Sequence, residues 1–222
     1  VSPERPVFCF DFASPLCWFA AERASAAFAG ELEWLPVSLE AFPHSERFDV
    51  FRCATEELAF REDVQRRALE LGLQPLRWPQ RFPFDSSLAL RAATYAKGIG
   101  RSAAFALAAF RQAFAGGHPL ESEDFVLIAA AACEMHPKAV LSALASDSIE
   151  ERLRAAGAEA ASRGVNDLPA FIVGERVLVG ERMLERAAGL AAAELVRVEL
   201  STAEPARAEP STAELARAEP SK

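Results

Sequence analysis

An α/β fold with a helical insertion is what this sequence predicts, and three observations carry the prediction. A strand, a helix and a second strand fit within the first forty residues. A helix, two strands and a closing helix fit between 140 and 198. The stretch between them shows helical periodicity with no strand signal. The chain has 222 residues, 51% apolar and 25% charged, enough to bury a core of that size.

The elements follow in order. "VFCFDF" (7–12) is an apolar run closed by Ser14-Pro15, and reads as a buried strand. "LCWFAAERASAAFA" (16–29), rich in alanine and stopped by Gly30, reads as a helix. "EWLPV" (33–37) is the second strand. A strand, helix and strand so close together form a βαβ unit, with a parallel pair and a right-handed crossover. Helices are then expected over "TEELAFREDVQRRALELG", "DSSLALRAATYAKGIG", "RSAAFALAAFRQAFAGG" and "SEDFVLIAAAACEM". The first three end in glycine, and the last opens on Ser122 with two acids in its first turn. A further helix lies near 148–163. Then come a strand over Ala170–Val173, a tight connection at 174–176, a strand over Val177–Val179, and a helix over Met183–Leu195.

That order is thioredoxin-like, with an all-helical insertion domain. Residues 1–40 form the first half, 41–139 the insertion, 140–198 the second half and 199–222 a tail. The tail carries two near copies of a ten-residue unit, "STAEPARAEP" and "STAELARAEP". Without aromatics and with frequent proline, it is expected to be disordered and to take no part in catalysis.

The net charge is −8, and no cluster of Lys and Arg interrupts the acidic balance, so a nucleic-acid partner is not expected. The four cysteines, Cys9, Cys17, Cys53 and Cys133, form no Cys-x-x-Cys pair and no zinc spacing. His44, His118 and His136 are scattered, and two precede proline, which suits loops and helix ends better than metal ligation. No signal-peptide pattern and no membrane-length apolar run is seen. A reducing cytoplasm and free thiols are therefore expected, with no membrane partner.

The chemistry is sought at Ser14-Pro15-Leu16-Cys17. Serine is a favoured N-cap and proline a favoured first helical residue, so the pair needs no catalytic role. Yet Ser14 sits where a strand's carboxyl end meets a helix N-terminus, whose free N–H groups favour an anion. Leu168-Pro169 precedes the first hairpin strand, where such a fold returns beside that helix start. Cap and catalytic readings both stand on the residues alone. Cys17 reads as a small apolar residue under the helix start, and Cys9, Phe12, Trp18, Phe19 and Trp34 as core or pocket wall. Phe84 and Trp78 are candidates to line a pocket for an aromatic ligand.

Together "FDFASPLCWFAAERA", "DSSLALRAATYAKGIGR" and "GVNDLPAFIVGERVLVGERMLERA" resemble the DsbA-like superfamily. Within it they resemble the branch of 2-hydroxychromene-2-carboxylate isomerases and kappa-class glutathione transferases. The resemblance spans most of residues 7–195. It implies a glutathione-dependent enzyme in which Ser14 falls on the serine that hydrogen-bonds the glutathione sulfur and holds it as thiolate. It also implies a cis peptide bond at Pro169, with Leu168 offering its backbone to the cysteinyl part of glutathione. The second substrate would be a small aromatic or α,β-unsaturated acid, and a homodimer is an assembly the family often adopts.

Two positions depart from the family pattern. Asp85 stands where the family usually has Asn, in a segment that also suits a helix cap, and Arg91 further along could pair with it or bind substrate. After the last strand, the family acid that holds the γ-glutamyl amine falls on Arg182 in one register and on Glu181 in the other. Two rivals therefore accompany the isomerase or transferase reading. One is a thiol-disulfide oxidoreductase relative using Cys17. The other is a catalytically silent thioredoxin-fold binding module.

Overall fold

The computed structural model describes residues 5–42, 51 and 53–203; His44 and the repeat beyond 203 lie outside the described residues. Strand β1 is Val7–Phe10, helix α1 Pro15–Ala27 and strand β2 Glu33–Pro36. Strands β3 (Ala170–Val173) and β4 (Arg176–Val179) form the later hairpin. Together they make a four-stranded sheet in the order β2-β1-β3-β4. β1 runs parallel to β2, with Phe8 opposite Trp34, and antiparallel to β3, with Cys9 opposite Ala170. β3 and β4 are antiparallel. Every residue of β1 and β3 is buried, so these strands read as unbroken apolar runs, as strands covered on both faces do.

The helical block holds α2 (Ala54–Glu70), α3 (Ser87–Gly98), α4 (Ser102–Phe110), α5 (Glu123–Ala131) and α6 (Pro137–Leu144). The expected stops at Gly72 and Gly100 take positive φ, +65° and +72°, which glycine adopts without a Cβ penalty. Helix α7 (Asp147–Ser162) leads back to the sheet, and α8 (Leu184–Ala203) closes the chain. α8 packs on α1 and β3, whereas α3, α4 and α7 pack on β2. Sheet and helical block therefore share one core. Phe8 lies 5.1 Å from Trp34 and 5.2 Å from Phe171, and Phe12 lies 4.8 Å from Phe110, centroid to centroid.

Beyond shifts of a few residues at strand and helix ends, four details differ from expectation. β1 stops at Phe10 rather than Phe12, because Asp11 turns inward to accept hydrogen bonds. The helix expected over 101–117 passes at Arg111–Ala115 into a turn of π-helix. Helix α6 was not foreseen; it is short, and His136 caps it by accepting from Lys138 N–H at 3.3 Å. α8 continues past Leu195 to Ala203, into the segment expected as tail. No helix among the described residues is long and apolar enough to cross a membrane.

Candidate active site at the start of α1

Asp11 organises the end of β1. It is 2% exposed, and its carboxylate accepts from three segments of the chain. Oδ1 takes Ala13 N–H at 2.9 Å and the Ser86 hydroxyl at 2.6 Å, and Oδ2 takes Leu39 N–H at 2.8 Å. These donors belong to the β1–α1 junction, the start of α3 and the 3-10 turn Leu39–Ala41 after β2. Burial nevertheless raises the Asp11 carboxyl above its ordinary value, and the charge of Glu40 adds to the rise. Sequence reasoning did not single Asp11 out, since its partners lie 28 and 75 residues away.

Ser14 is the N-cap of α1, with extended backbone angles, and its Oγ accepts from Cys17 N–H at 3.3 Å. Pro15 follows as the first helical residue, where its missing N–H costs nothing. The cap reading is thus realised in geometry, and Ser14 is fully covered. Cys17 is also fully buried, and burial pushes its thiol far up, outweighing the hydrogen bonds of the Asp11 backbone and the Ser14 hydroxyl; the charges of Asp11 and Asp167 add smaller rises. Cys9 is buried in β1 and pushed up to about 12 for the same leading reason. Trp18 and Phe19 are core, as is Trp34.

The Leu168–Pro169 peptide bond is cis. The β1–β3 register ends at Cys9 opposite Ala170, so Pro169 lies one step further toward the carboxyl end of β1. Its carbonyl accepts Gly180 N–H at 2.7 Å, and Leu168 N–H is held by the Asp167 carboxylate at 2.8 Å. That N–H is therefore already partnered without a ligand.

The remaining sequence candidates separate. Glu181 is 5% exposed and held by two guanidiniums. Arg67 of α2 reaches it through Nε at 2.9 Å and Nη2 at 3.3 Å, and Arg23 of α1 through Nη1 at 3.0 Å. Arg182 projects outward with 78% of its side chain exposed. Asp85 is exposed and accepts Ser87 N–H at 2.8 Å, so it caps the first turn of α3. Arg91 does not pair with Asp85. It donates to the Leu144 carbonyl at 2.6 Å and to Glu150 at 2.5 Å, tying α3 to α6 and α7.

A cavity of about 740 Å³ opens beside this junction, between the 3-10 turn, the start of α3 and the first half of α7. Asp11 and Ala13 reach it from the site, and Pro83, Phe84, Leu90 and Leu153 give it an apolar wall. Gly157 permits α7 to come this close to the turn: a Cβ there would stand 3.0 Å from that of Ala41. Phe84 thus lines a pocket as expected, whereas Trp78 packs elsewhere. It sits 4.8 Å from Phe82 and under the Arg61 guanidinium at 4.7 Å.

A sheet whose first strand ends at a capped helix start, facing a cis-proline strand and interrupted by a helical block, defines the class: a thioredoxin-fold protein of DsbA type, with Ser14 as the cap of that helix and Cys17 in its first turn. The chain belongs to the DSBA-like thioredoxin domain family, which matches residues 7–191. Three solved structures show the fold. A 2-hydroxychromene-2-carboxylate isomerase shares 19% identity at a TM-score of 0.74, over 89% of this chain and 98% of its own. A probable DsbA oxidoreductase from Streptomyces coelicolor shares 21% at 0.68, over 86% and 90%. The cytosolic disulfide reductase DsbM from Pseudomonas aeruginosa, solved with GSH, shares 14% at 0.57, over 87% and 98%. No curated protein matches the sequence.

Proposed function

We propose that the protein is a glutathione-dependent enzyme of the isomerase or kappa-type transferase kind, working in the cytoplasm on a small unsaturated or aromatic electrophile. One observation carries this reading. The helix start that would serve an attacking thiol holds a hydroxyl, Ser14, while the only thiol of the motif, Cys17, is fully buried and pushed far up. A dithiol exchange needs an attacking thiolate and a resolving one, and neither is available here. The chemistry of the position then belongs to a borrowed thiol.

When bound, glutathione supplies a thiolate that adds to an electrophilic carbon, reversibly in isomerisation and permanently in transfer. The Ser14 hydroxyl would donate to that sulfur, and the first-turn N–H groups of α1 would favour its negative charge. At the thiol end the hydroxyl and the helix start are the right groups for a sulfur anion. At the ammonium end the fit is poor, because Glu181 is already held by Arg67 and Arg23. Ser14 is covered in the unliganded chain, so thiol binding must expose position 14.

The held Glu181 and the covered Ser14 favour a second reading, a thioredoxin-fold binding module without catalysis. Calorimetric titration with reduced glutathione, beside an ultraviolet difference spectrum for thiolate, separates the two. The enzyme reading expects binding with a thiolate signal that Ser14→Ala removes, at a stability cost of about 1 kcal/mol, the usual worth of an N-cap. Absence of both signals in the wild-type protein would leave the binding module.

A further inference from the structure

The 740 Å³ cavity has a charge character that the thiol chemistry does not explain. Its lining carries four carboxylates, Asp11, Glu40, Asp85 and Glu150, against two guanidiniums, Arg91 and Arg154. Glu150 and Arg91 neutralise each other at 2.5 Å. Arg154 is 68% exposed and leans toward Glu151, outside the lining, at 3.8 Å. Asp11, Glu40 and Asp85 have no ion pair among the described residues. Asp11 is nearly covered, with its oxygens held by donors that carry no charge; Glu40 and Asp85 are exposed. Pro83, Phe84, Leu90 and Leu153 add apolar surface to the same lining. An apolar wall with a few convergent polar groups is the usual make-up of a small-molecule pocket, and this volume falls in the usual range.

We propose that this cavity binds a small organic cation, an amine on an aromatic or branched apolar body. The body would lie against Phe84, Pro83 and Leu153, and the ammonium would sit between Glu40 and Asp85. A carboxylate ligand of the same shape would face a lining with two more carboxylates than guanidiniums and lose its hydration for little in return. If the cavity serves the enzyme proposed above, this makes its electrophile cationic or amine-bearing rather than an acid, and that extension rests on the enzyme reading. The binding itself does not.

The test uses the full chain without glutathione, so its outcome is separate from that of the thiol reading. Three probes of matched shape, 2-phenylethylamine, 2-phenylethanol and 3-phenylpropionate, are titrated calorimetrically at neutral pH and low salt. The expected order is amine tightest, alcohol weaker and acid weakest, with amine affinity falling as salt is raised. The Glu40→Gln, Asp85→Asn double variant should weaken the amine about tenfold and leave the alcohol unchanged, two exposed carboxylates each contributing a few-fold. Circular dichroism confirms that the variant is folded. Binding of none of the probes, or an acid that binds as well as the amine, would overturn the proposal.

Discussion

Removing Arg67 or Glu181 should loosen the attachment of α2, and the size of the effect can be worked out beforehand. Glu181 stands just after β4 with 6% of its side chain exposed, and Arg67 grips it through two N–H groups at 2.9 and 3.3 Å. Stripping one partner from a fully buried pair costs about 3–5 kcal/mol. Two features reduce that here. Arg67 keeps 26% of its side chain in solvent, so water screens the loss. Arg23, 3.0 Å from the same carboxylate, remains to hold it. A coupling of about 2 kcal/mol follows, between the buried limit and the 0.2–1 kcal/mol of exposed pairs. The assay is a double-mutant cycle of Arg67→Ala and Glu181→Ala, measured by urea unfolding, so that lost stem packing cancels. Hydrogen exchange in Arg67→Ala should show α2 amides losing protection while β1 and β3 keep theirs. A coupling below about 0.5 kcal/mol, or an even loss of protection, would refute the tie.

Two other predictions concern titratable groups. In the native protein a thiol reagent should find one fast cysteine, Cys53, because Cys9, Cys17 and Cys133 are buried with raised thiols; two fast thiols would revive Cys17 as a reactive group. The Asp11 carboxyl is raised above 3.8 in the folded chain, so the fold holds this proton more tightly than the unfolded chain does. Its contribution to stability is full below the unfolded value and is lost as pH rises through the folded one. The stability difference between wild type and Asp11→Asn should therefore shift toward wild type on acidification across that window, and a shift the other way would show that the three donors outweigh burial.

The strands were legible because proline, glycine and short apolar runs mark them locally: Ala170–Val173 is an expected strand reproduced residue for residue. Helix α6 was hidden by its brevity, and the π-helical turn at Arg111–Ala115 has no sequence signature distinct from the helix it interrupts. At the site, Ser14 could be read as a cap because capping is a contact across three residues. Asp11 and Glu181 could not be assigned in the same way. The first collects donors from Leu39 and Ser86, the second is reached by Arg67 from 114 residues away, and nothing in the local sequence announces either meeting. Of the two registers that the resemblance leaves open, one has Glu181 facing a ligand; the fold turns it inward to Arg67 and Arg23.

The position of β1 in the sheet has a consequence for how the chain is made. One edge of this strand is filled by β2, which emerges soon after it, but the other waits for Ala170–Ile172. At about 5–20 residues per second, that partner leaves the ribosome roughly 10–30 s later. Through that interval an apolar strand rich in phenylalanine keeps an unpaired edge. The nascent chain is thus most exposed to mispairing and to chaperone capture between the synthesis of β2 and that of β3, and a ribosome stalled before residue 170 would hold it there.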